Sequence, residues 1–405
     1  MEPLRIALYS HDSLGLGHAR RNLALAYAFA NQLPGLTGRA VTGLLITGTA
    51  VAPGFHAPTG WDWVLLPGVD KGTNGYQPRN LNMHIKDLVS LRGAVLEGFL
   101  TGFHPDLIII DRHATGIHGE LEVALNRVRA HRGVRTVLGL REILDSPIAA
   151  LAEWDRLGGP GVVRKLFDEI WVYGDPSIHD PVAAGEIPFS LRGMIRYTGY
   201  LATGRSPGSV PTHMPAPFVM TTVGGGSDGR ALAGIAARTT LPVGLRHLIV
   251  TGPQMPATDL CEIRGLAAAT GATVVANLDD VVGHLRQASA VISMGGYNSV
   301  CEIMSTDIPA LVVPREHSRA EQLIRARSLA RDGYLQLRRI GTLTPQILAD
   351  WLAQSIGTRV DRSRILLNGL NRVPQLAADL LQGGPLIEVL PLPSRTTGGA
   401  ARVAV

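Results

Sequence analysis

The sequence predicts an α/β protein made of two doubly wound, Rossmann-like domains facing each other across a cleft. Three observations lead there. The chain has 405 residues, more than one compact core comfortably holds. Short apolar runs alternate with helical patterns from the first residues onward, which marks a parallel sheet covered by helices. The alternation breaks once, in a tract rich in Gly, Pro and Ser at 202–217, and then restarts.

In the first half, 4–9 reads as a buried strand and 20–30 as a helix with an apolar period of about 3.6 residues. Further strands are expected at 41–46, 61–66, 107–110, 136–140 and 170–173, with helices at 81–100 and 120–132. In the second half, five short strands fall at 218–223, 247–250, 273–276, 290–293 and 310–313, and 366–381 is a last helix. The expected division is a first domain over 1–205, a linker over 206–217, a second domain over 218–385 and a tail over 386–405 without periodicity. In doubly wound sheets ligands bind outside the carboxyl ends of the strands, so the active site belongs in the cleft.

Hydrophobic residues at 45% and charged residues at 18% describe an ordinary globular chain. The net charge is +5, and Lys71, Lys86 and Lys165 are the only lysines, so arginine carries the positive balance. The arginines are scattered, no basic run forms a tail, and aromatics make up only 5%. No nucleic-acid partner is expected. Cys261 and Cys301 form no CxxC pattern, which argues against a disulfide framework or structural zinc. With no signal-peptide layout and no apolar run long enough to cross a bilayer, a cytoplasmic protein is expected. Peripheral membrane contact enters through 81–100, where Leu81, Ile85, Leu88, Val89, Leu91, Val95 and Leu96 are interrupted by Lys86 and Arg92. Such a face either meets a membrane surface or covers a sheet, and the second reading is favoured.

Three loops carry the chemistry. The first, His11-Asp12-Ser13-Leu14-Gly15-Leu16-Gly17-His18, joins the first strand to the first helix. Gly15 and Gly17 permit close backbone approach, and the helix start offers free N–H groups. It is not the GxGxxG fingerprint, because no third glycine has the right offset. His18 stands at the positive end of the helix, where a neutral imidazole is favoured as a base; packing at the helix start is an equal alternative. The second loop, Gly224-Gly225-Gly226-Ser227-Asp228-Gly229, either wraps a phosphate or sugar through Gly225, Gly226 and Ser227, or is a turn before a helix. The third, Gly295-Gly296-Tyr297-Asn298-Ser299, lies between a strand and a helix start suited to a pyrophosphate. Glu302, one turn later, is placed to accept from both ribose hydroxyls. The alternative is a first-turn charge complementing the dipole, and the double glycine favours the ribose. Glu321 and Gln322, at the head of a further helix, are sugar-binding candidates or surface residues, and spacing favours the latter.

The stretch 277–329 resembles the donor half of MurG-type glycosyltransferases, which add N-acetylglucosamine in peptidoglycan synthesis. The matching pieces are Asp279-Asp280, Ser293-Met294-Gly295-Gly296-Tyr297-Asn298-Ser299, Glu302, 308–314, Glu321-Gln322 and Arg325-Ala326. The whole chain except the tail is closer still to a group of predicted MurG-like bacterial glycosyltransferases. That likeness rests on Gly17-His18-Ala19-Arg20-Arg21-Asn22, Arg141-Glu142-Ile143-Leu144, Tyr173-Gly174-Asp175-Pro176 and Tyr197-Thr198-Gly199-Tyr200. The resemblance implies a GT-B fold and inversion at the anomeric carbon. It implies a nucleoside-diphosphate sugar donor, a UDP-sugar foremost, with the diphosphate at 295–299, the ribose at Glu302, the base edge near Leu278 and the sugar facing Glu321 and Gln322. Two departures stand out. Met294 and Tyr297 make the diphosphate turn bulkier, and Asp228 adds a negative charge that is expected to cap the following helix.

The reaction then expected is attack of an acceptor hydroxyl on the anomeric carbon while a base removes its proton and the nucleoside diphosphate leaves. His18 is the first choice for base, with Asp12 and Asp111 behind it. No metal or other cofactor is required, and the spacing of His11, His113 and His118 fits no common metal motif. The acceptor, which the sequence does not name, is a small molecule or an intermediate of the cell envelope or of a natural product. It is expected against Gly15, Gly17 and the polar loop with Lys71, Asn74 and Tyr76. Two other readings fit the same scaffold: a nucleotide-sugar hydrolase or 2-epimerase, and a non-catalytic nucleotide-sugar-binding module.

Overall fold

The computed structural model describes residues 2–11, 16–50, 52–72, 75–130, 133–205, 217–278, 280–315 and 320–383. The expected linker, apart from Pro217, and the expected tail lie outside them.

The first domain runs β1 (Leu4–Tyr9), α1 (Gly17–Thr37), β2 (Val41–Thr47), β3 (Trp61–Leu65), β4 (Val69–Gly72), β5 (Gly75–Pro78), α2 (Ile85–Phe103), β6 (Leu107–Asp111), α3 (Glu122–Arg129), β7 (Arg135–Arg141), α4 (Pro147–Arg156), α5 (Pro160–Leu166), β8 (Glu169–Tyr173) and β9 (Ile195–Tyr197). The second runs β10 (Phe218–Thr222), α6 (Arg230–Arg238), β11 (Arg246–Val250), α7 (Ala257–Ala268), β12 (Thr273–Val275), α8 (Val281–Gln287), β13 (Ala290–Ser293), α9 (Tyr297–Met304), β14 (Ala310–Val312), α10 (Glu321–Arg331), β15 (Gln336–Leu337), α11 (Pro345–Ser355) and α12 (Gly369–Gln382).

Among the described residues, each domain is built on one parallel sheet, ordered β3-β2-β1-β6-β7-β8-β9 in the first and β12-β11-β10-β13-β14-β15 in the second. The central strands are apolar without alternation because helices cover both faces; every residue of β6, β8 and β13 is buried. The expected strands all form, with ends shifted by a residue or two.

The helices depart further. α1 continues through Pro34 to a left-handed Gly38, because Phe29 and Leu33 prolong its buried face beyond residue 30. α2 begins at Ile85, four residues later than expected, since Leu81 and Met83 are exposed before the helix starts. α2 lies on the protein, burying Leu88, Leu96 and Leu100, while Leu91 and Phe99 are exposed. Its Arg92 does not lie on an outer face as a membrane reading would need. It is buried, and its Nε donates to Glu120 Oε2 at 2.6 Å. Lys71 and Tyr76 lie not in a plain loop but opposite each other on the antiparallel strands β4 and β5.

α12 closes the second domain in sequence but packs on α1, so Phe29 and Leu33 share one core with Leu370, Val373 and Ala377. Gln32 Nε2 donates to Leu370 O at 3.3 Å, which fixes that contact. The same core takes in Tyr173 and Tyr200 from the first domain and Tyr297 and Val300 from the second. The domains therefore meet through a buried interior.

Candidate active site between the domains

Strand order reverses between β1 and β6 in the first sheet and between β10 and β13 in the second. At such a reversal the following helices go to opposite faces and leave a crevice at the carboxyl ends. β1 feeds the start of α1, β6 ends at Asp111, and β13 feeds the turn before α9. These three strand ends meet: Asn298 Nδ2, at the start of α9, donates to Gly17 O, at the start of α1, at 2.9 Å.

On the first-domain wall, His18 Nδ1 lies 2.9 Å from Asp111 Oδ2. Asp111 is fully buried, and Arg21 Nη2 donates to its two oxygens at 2.6 and 2.5 Å. Burial alone would raise the Asp111 carboxyl, but Arg21 and His18 hold it well below the ordinary carboxylate range. Asp111 is therefore ionised and can only accept, so the His18 proton resides on Nδ1 and Nε2 is left bare. Arg21 Nη2 also comes within 3.0 Å of His18 Nδ1; both are donors, held together by the carboxylate they share. Burial lowers the His18 pKa below 6.5, with Asp111 pulling the other way and Arg21 and Arg141 adding to the fall. The imidazole is neutral near pH 7 and fit to take a proton.

Around it lie further rings. His11 Nε2 is 2.8 Å from the Tyr76 hydroxyl, His11 and His113 lie with their rings tilted and centroids 3.8 Å apart, and Tyr76 meets His118 edge-on. Arg112 and His118, with φ of 72° and 48°, hold this segment in a left-handed backbone that side chains seldom adopt. Among the described residues no group of His, Cys, Asp and Glu side chains is arranged to hold a metal ion. Lys71 is exposed on the hairpin, and Asp12, Gly15 and Asn74 lie outside the described residues.

On the second-domain wall, Gly295 has φ 74° and presses against β14 so closely that a Cβ would come within 2.6 Å of Val312 Cγ1. Gly296 then caps α9. The expected crowding of this turn does not occur. Met294 is buried in the second-domain core and Tyr297 in the core between the domains, where Arg21 and Arg325 lie 5.4 and 5.6 Å from its ring centre. Glu302 is not an exposed first-turn charge. It is buried, and Arg20 Nη2 donates to its Oε1 at 2.8 Å while Arg205 Nη1 stands 3.6 Å from the same oxygen.

Within the Gly224–Gly229 loop, Gly225 and Gly226 lie against a second loop. A Cβ on Gly226 would lie 2.3 Å from Thr251 O, so the backbones of the two loops touch. Gly225 accepts from Gln254 N at 2.8 Å, and Ser227 is exposed. Asp228 does not cap α6, whose N-cap is Gly229. It pairs with Arg315 at 2.9 Å, because that guanidinium offers a full charge where the helix start offers only partial ones. Leu278 is half-buried beside the core. Gln322 Oε1 accepts from Arg315 N at 3.0 Å. Glu321 is buried and bonded to Arg141 of the first domain at 2.6 Å, so it is not a solvated surface charge.

Sequence reasoning passes over the charges that join the domains. Arg325 and Glu142 are both fully buried, 2.5 Å apart, and Arg325 Nη1 donates to Gly295 O at 3.2 Å. Although burial opposes it, Glu142 raises the Arg325 pKa above its ordinary value. At Arg141 burial wins over Glu321, and its pKa falls to about 10. The signal that could have found them is the presence of Arg141-Glu142 and Arg325 inside otherwise apolar strand ends and helix faces, where charges must be paired.

Residues 223–358 match the model of the glycosyltransferase family 28 C-terminal domain. Over 147 residues the chain is 29% identical to a UDP-N-acetylglucosamine--N-acetylmuramyl-(pentapeptide) pyrophosphoryl-undecaprenol N-acetylglucosamine transferase of Mannheimia succiniciproducens, covering 35% of this chain and 40% of that protein. The chain spans less than half the length of the curated relatives it matches. Among solved structures, the glycotransferase of kitacinnamycin superposes with a TM-score of 0.60 at 16% identity, over 95% of this chain and 99% of that one. MurG of Acinetobacter baumannii superposes with a TM-score of 0.54 at 15% identity, over 94% and 100%. The chain is MurG-like and has the GT-B fold, as the resemblance in its sequence implied.

Proposed function

We propose that the protein is an inverting glycosyltransferase. It moves a sugar from a nucleoside-diphosphate sugar, a UDP-sugar foremost, to a hydroxyl of a small molecule or of a cell-envelope or natural-product intermediate. The observation that carries this reading is the Asn298–Gly17 hydrogen bond, which brings the helix carrying His18, itself paired with Asp111 at the end of β6, against the helix that follows the double-glycine turn. A proton acceptor and an anion-binding backbone thus face one crevice from opposite domains. The UDP-N-acetylglucosamine in the name of the Mannheimia relative supports the choice of donor.

In this mechanism the acceptor hydroxyl gives its proton to His18 Nε2 as its oxygen attacks the anomeric carbon. The bond from that carbon to the β-phosphate oxygen breaks, and its electron pair leaves with the nucleoside diphosphate. Asp111 is a positioning residue rather than the base, because it is ionised, buried and engaged by Arg21; it holds the Nδ1 tautomer and stabilises the imidazolium. N–H groups at 296–299 meet the growing charge on the leaving group, so they lower the transition state more than the ground state. Attack from the first-domain side with departure toward the second gives inversion and asks for no metal ion. Glu302 accepts from the ribose, the backbone at Leu278 meets the base, Gly225, Gly226 and Ser227 close the phosphate side, and Glu321 and Gln322 border the sugar. Gly17, Lys71 and Tyr76 border the acceptor, and Gly15 and Asn74, outside the described residues, are proposed as further acceptor contacts. Among the described residues no helix is long and apolar enough to cross a membrane, and we read the enzyme as cytoplasmic with at most peripheral membrane contact.

The test is a thermal-shift and hydrolysis screen of the full chain against UDP-, dTDP- and GDP-sugars. At least one donor series should raise the melting temperature in a concentration-dependent way. Stabilisation by none of them contradicts the reading.

A further inference from the structure

The segment Gly17-His18-Ala19-Arg20-Arg21-Asn22 directs most of its side chains into its own domain. His18 and Arg21 meet Asp111, and Asn22 Nδ2 donates to Ser10 Oγ at 3.0 Å. Arg20 faces the other way and crosses to the second domain, where it meets Glu302. Charge there is unbalanced. The neighbouring cations are matched by a carboxylate each: Arg21 by Asp111, Arg325 by Glu142, Arg141 by Glu321 and Arg315 by Asp228. At Glu302 two guanidiniums, Arg20 and Arg205, share one carboxylate oxygen.

The two arginines are differently engaged. Arg205 is fixed on every side: Nε donates to Leu201 O at 2.8 Å, Nη2 to Asn298 Oδ1 at 3.2 Å, and Nη1 faces Glu302. Arg20 is 37% exposed, and among the described residues only its Nη2 is engaged. Its remaining donors form a planar fork of the kind that matches phosphoryl oxygens. The excess positive charge sits one turn into α9, next to the turn with the bare N–H groups.

We propose that Arg20 is a direct ligand of the donor's diphosphate, supplied by the first domain to a site whose backbone comes from the second. Arg205 is a positioning residue that orients Asn298 and Glu302. This inference rests on the glycosyltransferase reading and sharpens it: the leaving group is neutralised by a side chain on the same helix turn as the base. The diphosphate then bridges two domains that already meet through a shared buried core.

The experiment is calorimetric titration of the full chain with UDP, dTDP and GDP and with the matching nucleosides, using the base whose diphosphate binds most tightly. Relative to wild type, Arg20→Gln should weaken nucleoside diphosphate binding by about tenfold or more. It should leave nucleoside binding within about twofold and make diphosphate affinity less sensitive to salt. Arg20→Lys, which keeps the charge but not the fork, should recover part of the loss. Thermal unfolding of both variants shows that the fold is intact. If wild type binds a nucleoside diphosphate but Arg20→Gln keeps the same ratio of diphosphate to nucleoside affinity, the Arg20 assignment is overturned while the enzyme reading stands. If wild type binds no nucleoside diphosphate, both fall together.

Discussion

The two sheets reverse their strand order at corresponding places, yet the reversals carry different chemistry. At the first, between β1 and β6, side chains do the work: His18, Asp111 and Arg21 form a buried charged group whose members set one another's protonation. At the second, between β10 and β13, the backbone does it: Gly295 and Gly296 bend the chain so that α9 begins with free N–H groups, and side chains such as Met294 and Tyr297 turn away into the cores. In the proposed reaction, one copy of the repeated architecture moves a proton and the other holds an anion. Neither wall completes the proposed reaction alone, so the copies must be fixed together. Glu142–Arg325 and Glu321–Arg141 tie the second wall to the first through buried pairs.

The largest effect should come from the first wall. Asp111→Asn is expected to lower kcat by about 10²- to 10⁴-fold while donor affinity, read by titration, changes little. Because the substitution also leaves the Arg21 charge buried without a counter-charge, the variant should melt earlier. A fall in donor affinity as large as the fall in kcat would erase the division between the walls. The tie between them comes next. Glu142→Gln leaves Arg325 unneutralised in the interior, and denaturant unfolding should show a loss of about 3–5 kcal/mol. Glu142→Leu combined with Arg325→Met should recover most of that stability but not donor affinity, because the Gly295 carbonyl has lost its donor.

Within the second wall the two glycines should differ. Gly295→Ala faces both a left-handed φ and Val312, and is expected to cost about 1–3 kcal/mol in unfolding experiments. Gly296→Ala, with φ −59° and open space around a Cβ, should cost far less. The mildest test is pH. The lowered His18 pKa keeps the base neutral over a wider range, so the acid limb of kcat/KM should have its midpoint below 6.5. Asp111 raises that pKa, so the residual activity of Asp111→Asn should show a limb moved further to acid.

Much of the fold and of the second wall is legible in the sequence itself. Apolar runs at 4–9, 107–110 and 290–293 are buried parallel strands, and the glycines at 295–296 mark a strand-to-helix turn whose first residue, at a left-handed φ, few others can replace. Less is legible where a residue's neighbour lies far along the chain. Local spacing puts Asp228 at a helix cap, but Arg315, 87 positions away, takes it. Arg325 and Glu142 are separated by 183 positions, and no local period links them. The α2 pattern misleads for another reason: Arg92 breaks the apolar stripe in sequence, but it points inward to Glu120.

The most direct test of the division between the walls is donor titration and turnover measured on His18→Ala, with Glu302→Ala beside it. His18→Ala is predicted to bind the nucleotide donor within about twofold of wild type and to lose turnover by about 10²-fold or more, whereas Glu302→Ala should lose donor affinity first. Full turnover by His18→Ala with a true acceptor would contradict the account.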